Sequence, residues 1–215
     1  MKHLLLVLLS IVVLASCGKG DSSSGAPAPS GGKSSTGTEG SGSSASSAGA
    51  ATPQEAFDKA KAAGEKKDYG GLYDIVCPDE TDMLVFAAMM IGAFSTMGDE
   101  AKAKEFEAIS KKYNLPDAKD GPKVDMNDKA AMKRGLAEIF KDVKDKRGFF
   151  VEVFTWEAKT AKPGSEAKLN ITGTLKDMKE TGDAATATMV EADQKEKPMA
   201  FKKYQGRWYM SMPGQ

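Results

Sequence analysis

Between Gly18 and Ala51 nearly every residue is Gly, Ser, Ala, Pro or Thr and none is large and apolar. A stretch of that composition buries too little surface to offset the entropy of ordering it. Together with Cys17 it reads as a flexible linker over residues 17–51, with an end-to-end span of about 30 Å and a stretched limit of about 115 Å. A glycan-bearing stalk is the alternative. Folding is thereby confined to residues 52–215, about 160 residues, which suffice to bury about two thirds of their unfolded surface in one core.

What precedes the linker is a short basic start, Met1-Lys2-His3, an apolar run from Leu4 to Val13, and small residues. A run of about ten apolar residues is half of what a membrane span requires and matches a secretory signal peptide, residues 1–16. The ending Leu14-Ala15-Ser16-Cys17 resembles a bacterial lipobox. That resemblance implies cleavage before Cys17, diacylglycerol on its thiol and a further acyl chain such as palmitate on the new amino terminus. Such a chain is held to the membrane without a spanning helix. The expected location is the bacterial cell envelope. Gly18 rather than Asp after the cysteine favours the outer membrane where the host has two.

Removal of residues 1–16 deletes His3, the only histidine. Histidine is the usual general base near neutral pH and the commonest metal ligand, so Ser-His-Asp and Cys-His catalysis are excluded for the mature chain. No metal site or cofactor is expected. With Cys17 acylated, Cys77 has no internal disulfide partner; at the end of the apolar run Leu72–Val76 it reads as a small buried hydrophobe rather than a redox thiol. Thirty basic and thirty acidic residues balance and are interspersed, which argues against nucleic acid as a partner. The one basic cluster, Lys141, Lys144, Lys146 and Arg147, reads as a helix C-terminus, where cations favour the dipole.

Thr52-Pro53-Gln54-Glu55 is a capping box with proline at the first helical position. It predicts a helix to about Lys66 with Phe57, Ala60 and Ala63 as its apolar stripe. Tyr69, Leu72, Tyr73 and Val76 predict a short second helix stopped by Pro78. The third, about 80–97, lacks charge from Met83 to Phe94 and reads as a helix buried nearly all round, with a membrane-inserting hairpin as the alternative. Asp79, Glu80 and Asp82 at its start favour its dipole. Asp99 caps a fourth helix ending near Asn114-Leu115-Pro116, with Phe106, Ile109 and Tyr113 inward. Asp120-Gly121-Pro122 marks a loop. A fifth helix, capped at Asn127 or Asp128 and closing at Gly148, buries Met132, Leu136, Ile139, Phe140 and Val143.

From Phe149 the pattern alternates, predicting strands at about 149–160, 167–177, 184–192, 199–205 and 207–212, with turns at Glu180–Asp183 and Gln205-Gly206. In the second, Leu169, Ile171, Gly173 and Leu175 face inward and Lys168, Asn170, Thr172 and Thr174 face water. The expected class is α+β, with N-terminal helices packed on a curved, cone-like antiparallel sheet of four to five strands. The opening Thr52–Phe57, the link Lys67-Asp68-Tyr69 into Leu72–Val76 and the ending Gly206-Arg207-Trp208-Tyr209-Met210 are similar to small bacterial lipoproteins of the nuclear-transport-factor-two-like (NTF2-like), cystatin-like superfamily. The resemblance implies a bent sheet wrapped on a long helix, open at one end.

Two residue sets are candidates for function. Tyr69, Tyr73, Trp208 and Tyr209 are amphipathic enough to line a ligand pocket, against a reading as ordinary core and rim aromatics. In the predicted strand 149–160, Phe150, Glu152, Phe154 and Trp156 share one face. That face forms an outer interface patch if Val151 and Val153 pack inward. In the reverse orientation Glu152 lies inside the cone, with burial raising its pKa as for a general acid or base. The mature chain keeps eleven methionines, among them Met83, Met89, Met90, Met97, Met210 and Met212. Adaptable packing is favoured over monovalent copper. The functional expectation is a membrane-anchored lipoprotein displaying a noncatalytic binding domain for a small apolar ligand or another envelope protein, homodimerisation being open. The alternative is a small-molecule isomerase or dehydratase that uses a cone-buried carboxylate.

Overall fold

A computed structural model describes residues 49–116, 128–161 and 171–211 of the chain. The signal peptide, Cys17, the linker up to residue 48, the Asp120–Pro122 loop, Asn127, residues 168–170 and Met212 lie outside the described residues. Among the described residues six α-helices precede a four-stranded antiparallel sheet, an α+β arrangement.

Helix α1, Pro53–Glu65, starts where the capping box places it: the Thr52 hydroxyl accepts the Glu55 amide at 3.1 Å, and Glu55 reaches back to the Ala51 amide at 2.8 Å. Its buried face carries Ala56, Phe57, Ala60 and Ala63. Asp68 caps α2, Tyr69–Asp74, which ends sooner than expected. Residues 75–77 leave the helix because the Cys77 amide donates to the Met210 carbonyl and the Met210 amide to the Ile75 carbonyl, both at 2.9 Å.

A 3-10 turn, Pro78–Glu80, leads into α3, Thr81–Ser95. Expected to be buried nearly all round, α3 buries only Val85, Ala88 and Gly92; no helix of the described residues is long and apolar enough to cross a membrane. Helices α4, Glu100–Lys112, and α5, Lys129–Ile139, are capped by Asp99 and Asp128.

The fifth helix stops at Ile139, and Asp145 accepts the Gly148 amide at 2.7 Å to cap a separate helix α6, Lys146–Thr160. Residues 149–160 are therefore helix, not strand. Aromatic and β-branched residues favour strands in general, but here the buried residues fall at 149/150, 153/154 and 156/157, doublets at helical spacing. Lys146 and Arg147 consequently occupy the first turn of a helix rather than a last turn. The dipole disfavours cations there, and acids offset it: Asp82 takes Lys146 at 2.6 Å, and Asp74 takes Arg147 through two bonds of 2.8 and 2.9 Å.

The sheet is a meander in the order β1 (Thr174–Thr181), β2 (Ala184–Val190), β3 (Glu196–Tyr204), β4 (Arg207–Ser211). The expected inward side of the first strand holds for Ile171, Gly173 and Leu175, which are half-buried beside exposed Thr172 and Thr174. The β3–β4 turn has positive φ at both Gln205 and Gly206, the I′ geometry whose twist suits a two-residue hairpin. Beyond β4 the sheet edge is covered by Ala50, which exchanges two 2.8 Å bonds with Trp208, and by Val76, bridged in parallel to Met210. The β1 edge carries a bulge between Lys176 and Lys179, and both devices discourage strand addition.

Two cores result. Sheet residues Ala185, Ala187, Met189, Phe201 and Trp208 pack on α1 and on Leu72 and Ile75, while α3 to α6 enclose a second core around Leu136, Phe140, Phe149, Val153 and Phe154. Among the described helices, α1 and α2 supply the helical residues of the sheet core. Tyr69 packs against both cores.

Candidate functional site

Near Glu152, the carboxylate singled out by sequence, the end of α4 meets the start of α6. Tyr113 closes α4, and Asn114 follows at φ 58°, the left-handed position that ends a helix, with its amide 3.4 Å from the Asp142 carbonyl. Lys112, Tyr113, Asn114, Lys144 and Asp145 line an open cleft of about 340 Å³.

Glu152 stands one to two turns along α6, its side chain 34 % exposed, and accepts from the Tyr113 hydroxyl at 2.6 Å and the Lys112 ammonium at 2.5 Å. Partial burial works to raise its pKa, but the Lys112 and Tyr113 hydrogen bonds outweigh it and hold the carboxyl below its usual value. Burial and the same carboxylate push the Tyr113 hydroxyl upward. Glu152 is thus an ionised acceptor whose donors are in place. A cone-buried Glu152 with a raised pKa is not what the fold produces. The chemistry the cleft offers is ionic and hydrogen-bonding contact, from the Lys112 and Lys144 ammonium groups, the Asn114 amide and the Asp145 carboxylate.

The aromatic patch expected around Glu152 is corrected in the same way. On a helix, Phe150, Phe154 and Trp156 are buried together with Phe149 and Val153. Phe150 lies 4.6 Å from Phe154 and 5.6 Å from Tyr73; Trp156 stacks on Phe106 at 5.8 Å and donates to Glu105 at 2.7 Å. These rings form a core, not an outer surface.

Of Tyr69, Tyr73, Trp208 and Tyr209, Tyr69 and Trp208 share the sheet core, while Tyr73 and Tyr209 pack elsewhere. Tyr69 and Tyr73 lie a turn apart on α2 and face Phe154 and Phe150. Trp208 and Tyr209 are successive residues of a strand and point to opposite faces: Trp208 into the sheet core, Tyr209 toward Tyr204 at 6.4 Å.

A polar cluster that sequence reasoning assigned to a helix dipole proves to join the two layers. Asp79, in the 3-10 turn, accepts from Lys133 of α5 at 2.8 Å and Lys202 of β3 at 2.6 Å, and next to it Glu80 accepts the Ser211 hydroxyl at 2.9 Å. Burial works to raise the Asp79 pKa, yet the Cys77 thiol and the two lysines hold it well below the usual range. A depressed carboxyl stabilises the fold above its unfolded pKa of about 3.9 and loses that contribution as pH falls through the folded value. Asp79→Asn should therefore be less stable than the parent at pH 7, and in urea titrations the gap should begin to narrow below about pH 5 and go on narrowing down to the lowest pH reached. A gap independent of pH would show that the charge of Asp79 is not what joins the layers.

Cys77 is fully buried, and burial first, then the neighbouring carboxylate, pushes its thiol up to about 12. Since the thiolate is the reacting form, Cys77 should resist a disulfide reagent at about pH 8 in the native chain and react at once in urea. Equal rates in both conditions would contradict the burial.

Comparison of the chain with family models, with curated proteins and with solved structures returned no match.

Proposed function

We propose that this chain is a bacterial envelope lipoprotein, acylated at Cys17, that displays its α+β domain on a flexible linker and serves by binding another envelope protein or a small ligand rather than by catalysis. The observation that carries this reading is one of sequence. A lipobox-like Leu14-Ala15-Ser16-Cys17 is followed at once by residues 18–51, which lack any large apolar side chain, and then by a sharply capped helix. The noncatalytic part is supported by Glu152, whose carboxylate is committed to Lys112 and Tyr113 and held ionised. The residues similar to the nuclear-transport-factor-two-like superfamily, 52–57, 67–76 and 206–210, fall on the start of α1, on α2 with its flanking residues, and on β4 with the turn before it.

The test is the mass of the tryptic peptide Cys17-Gly18-Lys19 from protein expressed in a bacterial host. A peptide carrying diacylglycerol, with or without an amide-linked acyl chain, is expected. An unmodified peptide that continues uncut through Ser16-Cys17 would overturn the proposal.

A further inference from the structure

Helix α3 carries the longest apolar run without a charge among the described residues, Met83–Phe94, and packs most of its circumference on the second core. Its single charged residue, Asp82, is held by Lys146. Val85, Ala88 and Gly92 face the bundle, while Met83, Ala87, Met90 and Phe94, with Met97 just past the helix end, recur at spacings of four and three residues along the opposite side. All five are partly or largely exposed, Met97 at 75 %. Ala87, Met90, Phe94 and Met97 belong to neither core. A continuous apolar row of this kind marks a contact surface.

We infer that this row is the surface by which the domain lies on the lipid bilayer. The placement rests on the acyl anchor proposed above. Residues 18–48, which separate Cys17 from the first described residue, have a typical span of about 30 Å. The bilayer is then always within reach, and a weak contact becomes an intramolecular one. Size decides against a second copy, because a stable dimer buries about 800 Å² per partner and one row of five side chains, four of them already partly covered, presents less. At fifteen residues α3 is about 22 Å long and lies flat, with its row sunk about 5–10 Å at the headgroup boundary.

The experiment uses the full mature chain, purified from the host envelope with Met97→Cys and reconstituted into vesicles of phosphatidylethanolamine and phosphatidylglycerol. With Cys17 acylated and Cys77 buried, the thiol introduced by M97C is the one that takes a thiol-reactive fluorophore. Brominated acyl chains should quench this label, but not one at Lys179→Cys, an exposed position of β1. Adding Met90→Asp and Phe94→Asp should reduce the bilayer-bound to free ratio about tenfold or more. An unquenched label on protein whose Cys17–Lys19 peptide carries its lipid overturns the surface and leaves the anchor standing. Where the Cys17–Lys19 peptide proves unmodified, the labelling is repeated with Cys17→Ser added, so that position 97 alone is labelled; quenching then keeps the surface and removes the anchor, and an unquenched label removes both. A label that shifts with protein concentration in the absence of lipid overturns the bilayer in favour of a second copy.

Discussion

Replacing Phe154 with alanine is expected to lower the stability of the domain by about 3–5 kcal/mol, a large part of the roughly 5–15 kcal/mol typical of a folded domain. The ring is 2 % exposed and lies 4.6 Å from Phe150 and 5.5 Å from Tyr69. Truncation therefore removes both the transfer free energy of a phenyl group and the support of its neighbours. Tyr69 packs on both cores, so a cavity at 154 loosens the helix that links them, and sheet and bundle should unfold together at a lower urea midpoint. A Phe154→Ala chain with unchanged midpoint and an altered oligomeric state would return the residue to an outer surface.

Gly92→Ala should also destabilise, by about 2 kcal/mol, against the trend for its class. In the interior of an exposed helix, glycine to alanine gains about 1 kcal/mol of helix propensity. At position 92 the added methyl would fall inside the Phe106 ring. Phe106 cannot simply retreat, since it stacks on Trp156, whose indole is tied to Glu105. Displacing it therefore disturbs the α3–α4–α6 contact. The measurement is a urea titration followed by tryptophan fluorescence. A midpoint at or above that of the parent would mean that Phe106 swings away freely and that glycine there serves no packing purpose.

Most element starts are legible in the sequence because caps are local. Thr52, Asp99 and Asp128 each announce a helix directly after them. Asp145 does so too, but it stands in a lysine-rich stretch where Lys141–Arg147 resembles one helix ending, and the aromatic and β-branched residues after it mimic a strand. The signal that distinguishes helix from strand there is the recurrence of large apolar residues at 149/150, 153/154 and 156, spacings of four and three that suit a helix covered on several sides. The end of α2 is hidden for another reason: residues 75–77 leave helical geometry to pair with Met210, far along the chain, and no local pattern carries that.

Glu152 is conspicuous in the sequence, but its environment is not. Lys112 and Tyr113 lie 40 and 39 residues upstream, and only the packing of α4 on α6 brings them to it. The same holds for Asp79, whose two lysines come from α5 and β3. Charge–charge partners on exposed or half-exposed faces leave no periodic trace, so their roles emerge with the fold.

The pairing of Ala50 with Trp208 has a mechanical consequence. Any pull transmitted along the chain ahead of Gly49 meets the Lys59 bond to the Gly49 carbonyl and then the two reciprocal bonds between these residues, directly before α1 begins. Tension along the strand direction loads both bonds at once, in shear, instead of opening them one after the other. The Tyr209 ring packed against Gly49 adds resistance to slippage. A drag force on the domain would thus be borne at the sheet edge, and α1 would keep its place on the core until that clasp gave way.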